Sequence, residues 1–272
     1  MIIQHNISAI NSYRNLGINQ SALSKNLEKL SSGYKINRAG DNAAGLAISE
    51  SMRSQINGLN QVSANAKDAI GLIKTAEGAL SEVHSMLQRM TTLAEQAANG
   101  TYNTVARGNI QEEYKALTKE IKRISENADF NGIKPLTTGK EMTMTFQIGP
   151  TSGETITVDK EDIYGKTVTA AMNLKLSVQN DAKNALKTIK TAIDDVSTYR
   201  AKLGAAQNRL EHTVKSLDIM SENITEAESR IRDTDMADEI TAFTKNNILL
   251  QAAQSMLAQS NAAPQGILSL LQ

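Results

Sequence analysis

The chain has 272 residues, of which 3% are aromatic, and it contains neither Trp nor Cys. Lys plus Arg and Asp plus Glu both number 29, so the formal net charge is +0 and no basic surface for nucleic acid is expected. The absence of cysteine excludes disulfides, thiolate catalysis and cysteine-based metal sites.

An amphipathic helix is predicted at the N-terminus. Its apolar residues recur with a period of seven at Ile2, Ala9, Leu16, Leu23 and Leu30, and further apolar side chains at Ile3, Ile7, Ile10 and Leu27 widen the face. A junction with Gly33, Gly40 and Gly45 follows this helix. Asp41 or Asn42 is suited to cap the next helix.

Three further heptad patterns lie in the middle of the chain. They predict two long helices over 52–97 and 182–231 and a shorter one over 110–128, which Asn131-Gly132 and Pro135 end. Residues 142–158 alternate between apolar and polar around a Gly/Pro turn, which predicts a β-hairpin near 141–158. Two long helices joined through these elements would lie antiparallel.

A second terminal helix is predicted after a slip in the heptad phase at residues 232–235. Its stripe consists of Met236, Phe243, Leu250 and Leu257, and Ile240, Ile248 and Leu249 widen it. The predicted fold is mainly α: an elongated antiparallel helical bundle with a coiled-coil-like rod and one small β-hairpin, plus a two-helix coiled-coil terminal domain. We expect that domain to consist of residues 1–41 and 232–272, and the rod domain to span 42–231.

The two terminal helices carry more apolar surface than one helix pair can bury, because a pair shares a single seam. We therefore expect them to pack against other copies of the chain. The residues predicted to form this assembly core are Ile3, Ile7, Ile10, Leu16, Leu23, Leu27, Leu30, Met236, Ile240, Phe243, Leu250 and Leu257.

Long segments at both ends resemble bacterial flagellin. They are residues 30–49 near the N-terminus and residues 228–237, 243–249 and 264–271 near the C-terminus. The resemblance implies a subunit that leaves the cell through the flagellar type III export apparatus and polymerises into the filament used for motility. Residues 131–165 hold little more than the hairpin, so the chain resembles a short flagellin that lacks large outer domains.

The resemblance also implies partners. Besides a homopolymer, these are the filament cap and hook–filament junction proteins and an export chaperone, expected to bind through Phe243, Leu250 and Leu257. Residues 87–100 resemble the flagellin segment that animal Toll-like receptor 5 recognises. Arg89, Leu93 and Glu113 match the receptor-contacting positions.

Enzyme chemistry is not expected. His5, His84 and His212 lack metal-ligand spacing, no nucleophile elbow is present, and neither a strand before Gly40 nor a Gly-Lys-Ser/Thr after Gly45 supports a phosphate loop. We predict no cofactor. No apolar run is long enough to span a bilayer, and the start lacks the pattern of a secretory signal, so we expect no cleaved signal peptide. The resemblance implies an extracellular location in the bacterial flagellum.

Two alternatives remain open at this point. A hook–filament junction protein shares the general layout and weaker versions of both end signatures, and the capacity to form long polymers would separate it from flagellin. A non-flagellar coiled-coil scaffold or secretion-system translocator would not grow from flagellar seeds.

Overall fold

The structure is a computed structural model that describes residues 6–137, 143–160 and 174–270, with side chains up to residue 262. Within these ranges the chain forms five helices and one hairpin. They are α1 (Ile7–Ser32), α2 (Ala43–Ala98), α3 (Thr104–Asn127), β1 (Thr143–Gln147), β2 (Thr155–Asp159), α4 (Gln179–Arg232) and α5 (Met236–Leu270). The prediction of a mainly helical bundle with one small hairpin is confirmed.

The start of α2 lies ahead of its first predicted seam residue, Met52, because a polar cap extends the helix. The Gly45 N–H donates a 2.9 Å hydrogen bond to Asn42 Oδ1, so Asn42 rather than Asp41 is the capping residue. A Cβ at position 45 would come within 2.8 Å of Asn42 Nδ2 and of Ile36 Cδ1, so both side chains would have to move to admit it.

The predicted break before the last helix is also present. Helix α4 ends at Arg232, and α5 begins at Met236. Asp235 caps α5, because its Oδ1 accepts hydrogen bonds from the N–H groups of Ala237 at 2.9 Å and Asp238 at 3.3 Å.

The hairpin is antiparallel, with Thr143 opposite Asp159 and Gln147 opposite Thr155. Met144, Ile156 and Val158 are buried, as the alternating pattern requires. Residues 141 and 142 of the predicted hairpin lie outside the described residues. The predicted stop after α3 is present as a tight turn, in which Asn131 (φ 52°) and Gly132 (φ 82°) connect the bridged residues Phe130 and Ile133.

The chain divides into two compact units. One consists of Met1–Ile56 with Glu222–Gln272, and the other of Asn57–Ser221. Helices α2 and α4 contribute residues to both units. The assembly domains proposed from the sequence, 1–41 with 232–272 and 42–231, use different boundaries and stay a prediction.

Within the unit Asn57–Ser221, α2 and α4 run antiparallel. Gln179 Nε2 donates to the Ala98 carbonyl at 3.0 Å, Arg200 Nη2 lies 3.6 Å from Glu77 Oε1, and Ser63 Oγ donates to Asp218 Oδ1 at 3.0 Å. Residue numbers therefore rise along one helix as they fall along the other.

The core of this unit consists of the predicted heptad seams. Small alanines alternate with larger aliphatic residues, which lets the helices approach closely. The fully buried seam residues include Ala66, Ile73, Ala76, Leu80, Leu87 and Ala94 on α2 and Ala182, Ile189, Val196, Leu203 and Leu210 on α4. The Tyr199 hydroxyl reaches the Pro135 carbonyl at 3.2 Å and satisfies the polar end of a buried ring.

Candidate functional site

Helices α1 and α5 pack against each other as an antiparallel pair. Asn6 Nδ2 donates to the Ser260 carbonyl at 2.8 Å, and Asn19 Nδ2 donates to the Leu249 carbonyl at 3.4 Å. An ion pair of 3.6 Å between Lys29 and Glu239 lies nearer the junction. The predicted pairing of the two chain ends is therefore present, and these contacts show which residues of α1 and α5 lie opposite each other.

The seven-residue stripes form the seam of this pair. Leu16, Leu23 and Leu30 on α1 and Phe243, Leu250 and Leu257 on α5 are half-buried. These six residues, all named in advance as assembly residues, divide their surface between the partner helix and solvent.

Five of the remaining predicted assembly residues are exposed, and we call the exposed apolar surface of the pair its outer face. Ile7, Ile10, Leu27, Met236 and Ile240 are 45% to 59% exposed. Ile3 lies outside the described residues. The face also carries Ile248 and Leu249, which the sequence analysis placed off the main stripe.

Three exposed apolar residues on the described parts of α1 and α5 were not named in the sequence analysis. Tyr13 is 70% exposed, Ile18 58% and Met256 63%. None of the three belongs to the seven-residue stripes. A search for apolar residues beside the seam on the same helices could have found them. They extend the outer apolar face along both helices.

The residues matched to a receptor-binding segment fall on α2 and α3. Arg89 on α2 donates from Nε to Glu113 Oε1 on α3 at 2.8 Å, and both side chains are about half exposed. Leu93, one turn along α2 from Arg89, is buried and only 1% exposed. The structure thus brings Arg89 and Glu113 together at the surface and places Leu93 below it.

No group of three or more His, Cys, Asp or Glu side chains that could hold a metal ion occurs among the described residues. His84 Nε2 lies 3.0 Å from Gln88 Nε2 on the same helix. His5 is outside the described ranges. None of the described helices is long and apolar enough to cross a membrane.

Comparison with known proteins identifies a family with similar sequences at both ends of the chain. A family model of the bacterial flagellin N-terminal helical region matches residues 3–141, and a model of the bacterial flagellin C-terminal helical region matches residues 186–271. The chain belongs to the bacterial flagellin family. The flagellin of Halalkalibacterium halodurans is 50% identical over 272 residues, which cover the whole of both chains.

Other flagellar proteins are similar at lower identity. A flagellar filament 31.3 kDa core protein of Treponema maltophilum is 45% identical over 287 residues, covering 100% of both chains. The crystal structure of Bacillus cereus flagellin shares 32% identity, with a TM-score of 0.53 over 57% of this chain and 88% of that one.

Membership of this family assigns the chain a role. It is a flagellin, a structural subunit of the flagellar filament outside the cell, and not an enzyme. The filament subunit is therefore favoured over both the junction protein and the non-flagellar scaffold considered from the sequence.

Proposed function

We propose that this flagellin builds the core of its filament by burying the outer apolar face of the α1–α5 pair against neighbouring copies. The observation that carries the proposal is the amount of exposed aliphatic surface on two helices that already pack on each other. Ile10, Ile248 and Met256 are at least half exposed after the pair has formed. This amount of exposed apolar surface on one helix pair favours a protein interaction site.

The proposed contact would permit indefinite growth. If the outer face of one terminal pair meets a different surface of the next copy, the contact need not close into a ring. The formal net charge of +0 leaves little long-range repulsion between copies.

The test is seeded growth followed by electron microscopy. We expect the full chain to form long filaments and a chain lacking residues 1–31 and 236–272 to form none. In the full chain, Ile10→Ser and Ile248→Ser should each slow growth, because a hydroxyl replaces an apolar group at the interface. Ile219→Ser is the matched control, since Ile219 is 60% exposed but belongs to α4 and to neither terminal helix. Polymerisation of the shortened chain would overturn the proposal.

We also propose that an export chaperone binds α5 through Phe243, Leu250 and Leu257 before assembly. These side chains form the seam with α1, so the chaperone would occupy the surface that α1 later covers. Calorimetry with the full chain and with a chain ending at Asp235 tests this. Equal affinity of the two chains for the chaperone would contradict it.

We expect the filament cap and the hook–filament junction protein to meet the terminal pair through its outer face.

A receptor surface is proposed around Arg89 and Glu113. Both side chains are accessible on neighbouring helices, whereas Leu93 would act by supporting the helix beneath them. In a reporter-cell assay for Toll-like receptor 5, Arg89→Ala should reduce signalling. The matched control is Arg123→Ala, which removes another exposed arginine from an ion pair, with Glu120 on α3. Unchanged signalling by Arg89→Ala would rule the surface out.

A further inference from the structure

The connection between α2 and α3 contains Asn99 followed by Gly100, one of three Asn-Gly pairs in the sequence. In such a pair the backbone nitrogen of the glycine can attack the side-chain amide of the asparagine, because no Cβ hinders its approach. Both residues are exposed, and they belong to the unit Asn57–Ser221. Helices α1 and α5 lie in the other unit, so the chemistry at this pair does not depend on them.

The side chain of Asn99 is turned toward the peptide that follows it. The Thr101 N–H donates to Asn99 Oδ1 at 3.3 Å, which is the hydrogen bond of an Asx turn and keeps Cγ near the Gly100 nitrogen. A donor at Oδ1 also stabilises the negative charge that develops on this oxygen when the nitrogen attacks Cγ. Within the described parts of the chain, the Gly100 N–H makes no hydrogen bond that would hold it back.

Arg107 on α3 contacts the peptide group that contains the attacking nitrogen. Its Nη2 donates to the Asn99 carbonyl at 3.0 Å, and its Nε donates to the Ala97 carbonyl at 2.9 Å. The Asn99 carbonyl and the Gly100 nitrogen share one delocalised peptide group. When the nitrogen loses its proton, negative charge spreads to the carbonyl oxygen, where the guanidinium stabilises it. Arg107 therefore favours the nucleophilic form of the Gly100 nitrogen.

We propose that Asn99 is a site of self-modification, promoted by the Thr101 N–H and the Arg107 guanidinium. The Gly100 nitrogen gives its proton to water or hydroxide and forms a bond to Asn99 Cγ. The bond from Cγ to the side-chain nitrogen then breaks, and ammonia leaves after that nitrogen takes a proton from water. One water molecule opens the resulting cyclic imide. Opening at Cγ gives aspartate, and opening at the backbone carbonyl gives isoaspartate.

The products change the charge and the length of this connection. Each event adds one negative charge to a chain whose formal net charge is +0. In isoaspartate the former Asn99 carbonyl becomes a free carboxylate, and this is the group that Arg107 already contacts. An arginine–carboxylate ion pair can therefore replace the present hydrogen bond. Isoaspartate also inserts one methylene into the backbone between α2 and α3.

The exposed pair of Asn131 and Gly132 provides an internal comparison. There the Gly132 N–H donates to Asp129 Oδ2 at 3.1 Å, and the carboxylate disfavours negative charge on the nitrogen. Two further backbone hydrogen bonds of 3.0 Å close the turn around the pair. The third pair, Asn57-Gly58, lies within α2, where backbone N–H groups donate to the helix. We therefore expect Asn99 to react faster than Asn131.

Peptide mass spectrometry of the full, unassembled chain during incubation in mildly alkaline buffer tests the proposal. Aspartate and isoaspartate should appear about tenfold faster at Asn99 than at Asn131, and the two rates should approach each other in urea. Arg107→Gln should slow the reaction at Asn99 about tenfold, as for loss of one hydrogen bond from a charged group, and should leave Asn131 unchanged. Arg107→Lys keeps a cation and should retain part of the rate. The matched control is Arg123→Gln, because Arg123 is an exposed arginine of α3 whose ion pair is with Glu120.

A further variant tests the attack by the glycine nitrogen. Gly100→Ala should slow the reaction, since a methyl group hinders ring closure. The added Cβ has space in the fold, because its nearest neighbour is Gln179 Nε2 at 3.9 Å.

Two results would overturn the inference: equal rates at Asn99 and Asn131 in the folded chain, or an unchanged or faster reaction at Asn99 in Arg107→Gln. A faster reaction would mean that the arginine only holds the turn. Should Arg107→Gln not fold, the unsubstituted chain still decides the question. A ratio of the two rates that urea leaves unchanged would show that the fold contributes nothing to the reaction.

Discussion

Ser49 on α2 donates a 2.8 Å hydrogen bond to Glu228 on α4 and is fully buried. Ser49→Ala leaves the carboxylate without this donor, so we expect the free energy of unfolding to fall by about 1.5–3 kcal/mol, as for other hydrogen bonds to charged groups. Urea unfolding of the full chain measures the change. Ser51→Ala, at an exposed position of the same helix, should differ from the parent by less than about 0.5 kcal/mol. A similar small change at Ser49 would show that the hydrogen bond contributes little.

Shortening a buried side chain in the α2 seam should leave a cavity and lower the stability of the protein considerably. Leu80 is 0% exposed, and Leu80→Ala should destabilise the unit Asn57–Ser221 by about 2–5 kcal/mol. The comparison is Ile219→Ala in the same unit, where the side chain is 60% exposed and the expected loss is below about 0.5 kcal/mol. Thermal unfolding of both variants beside the parent decides whether burial explains the difference.

Leu250 and Ile10 should separate stability from assembly. Leu250 contributes to the seam between α1 and α5, so Leu250→Ala should weaken the terminal pair and also slow filament growth. Ile10 is 50% exposed on the outer face, so Ile10→Ser should slow growth at nearly unchanged stability. Far-UV circular dichroism during unfolding and seeded growth give the two readouts. If the two variants changed both readouts in the same proportion, the division into seam and outer face would be wrong.

The ion pair of Arg89 and Glu113 should matter little for folding. Its side chains are 52% and 45% exposed, and exposed ion pairs contribute about 0–1 kcal/mol. Arg89→Ala should therefore unfold within about 1 kcal/mol of the parent in urea. A loss of receptor signalling in this variant then reports on recognition. A larger loss of stability would make the signalling result a folding effect.

The turn before α2 should weaken in acid. The backbone N–H groups of Arg38 and Asn37 donate to the Asp41 carboxylate and hold its pKa below the usual 3.8. Since the folded-state pKa is depressed, this contribution is present above pH 3.8 and is lost as the pH falls through the lower folded value. Carboxyl chemical shifts measured by NMR give the pKa directly. Asp41→Asn should remove this acid dependence of amide exchange at residues 37 and 38.

Helical periodicity was sufficient to predict the core of the unit Asn57–Ser221. Ile73, Leu80 and Leu87 follow the period of seven within the helix predicted over 52–97, and all three are fully buried. The hairpin was equally readable, because alternation around a Gly/Pro turn determines which side chains share a face. Both features are determined by residues close together in the sequence, so a single sequence is enough to predict them.

Contacts between distant segments were not predictable in the same way. The period of seven placed Leu16 on the stripe and Ile10 beside it, but the residues of α5 that face Leu16 depend on how the two helices pair. Arg232 carried no local signal, since its partners Tyr34 and Glu50 come from the other end of the chain. Stacking and charge pairing across such separations follow from the tertiary fold alone.

The pairing of α1 with α5 also has a consequence in time. The hydrogen bond between Asn6 and Ser260 joins residues 254 positions apart. Helix α1 is therefore synthesised long before α5, the helix against which it packs. At about 5–20 residues per second, a growing chain exposes the apolar side of α1 for more than about ten seconds before its partner exists. During that interval the exposed apolar side of α1 can associate prematurely with other chains. A binding partner that covered it would have to act before α5 is synthesised.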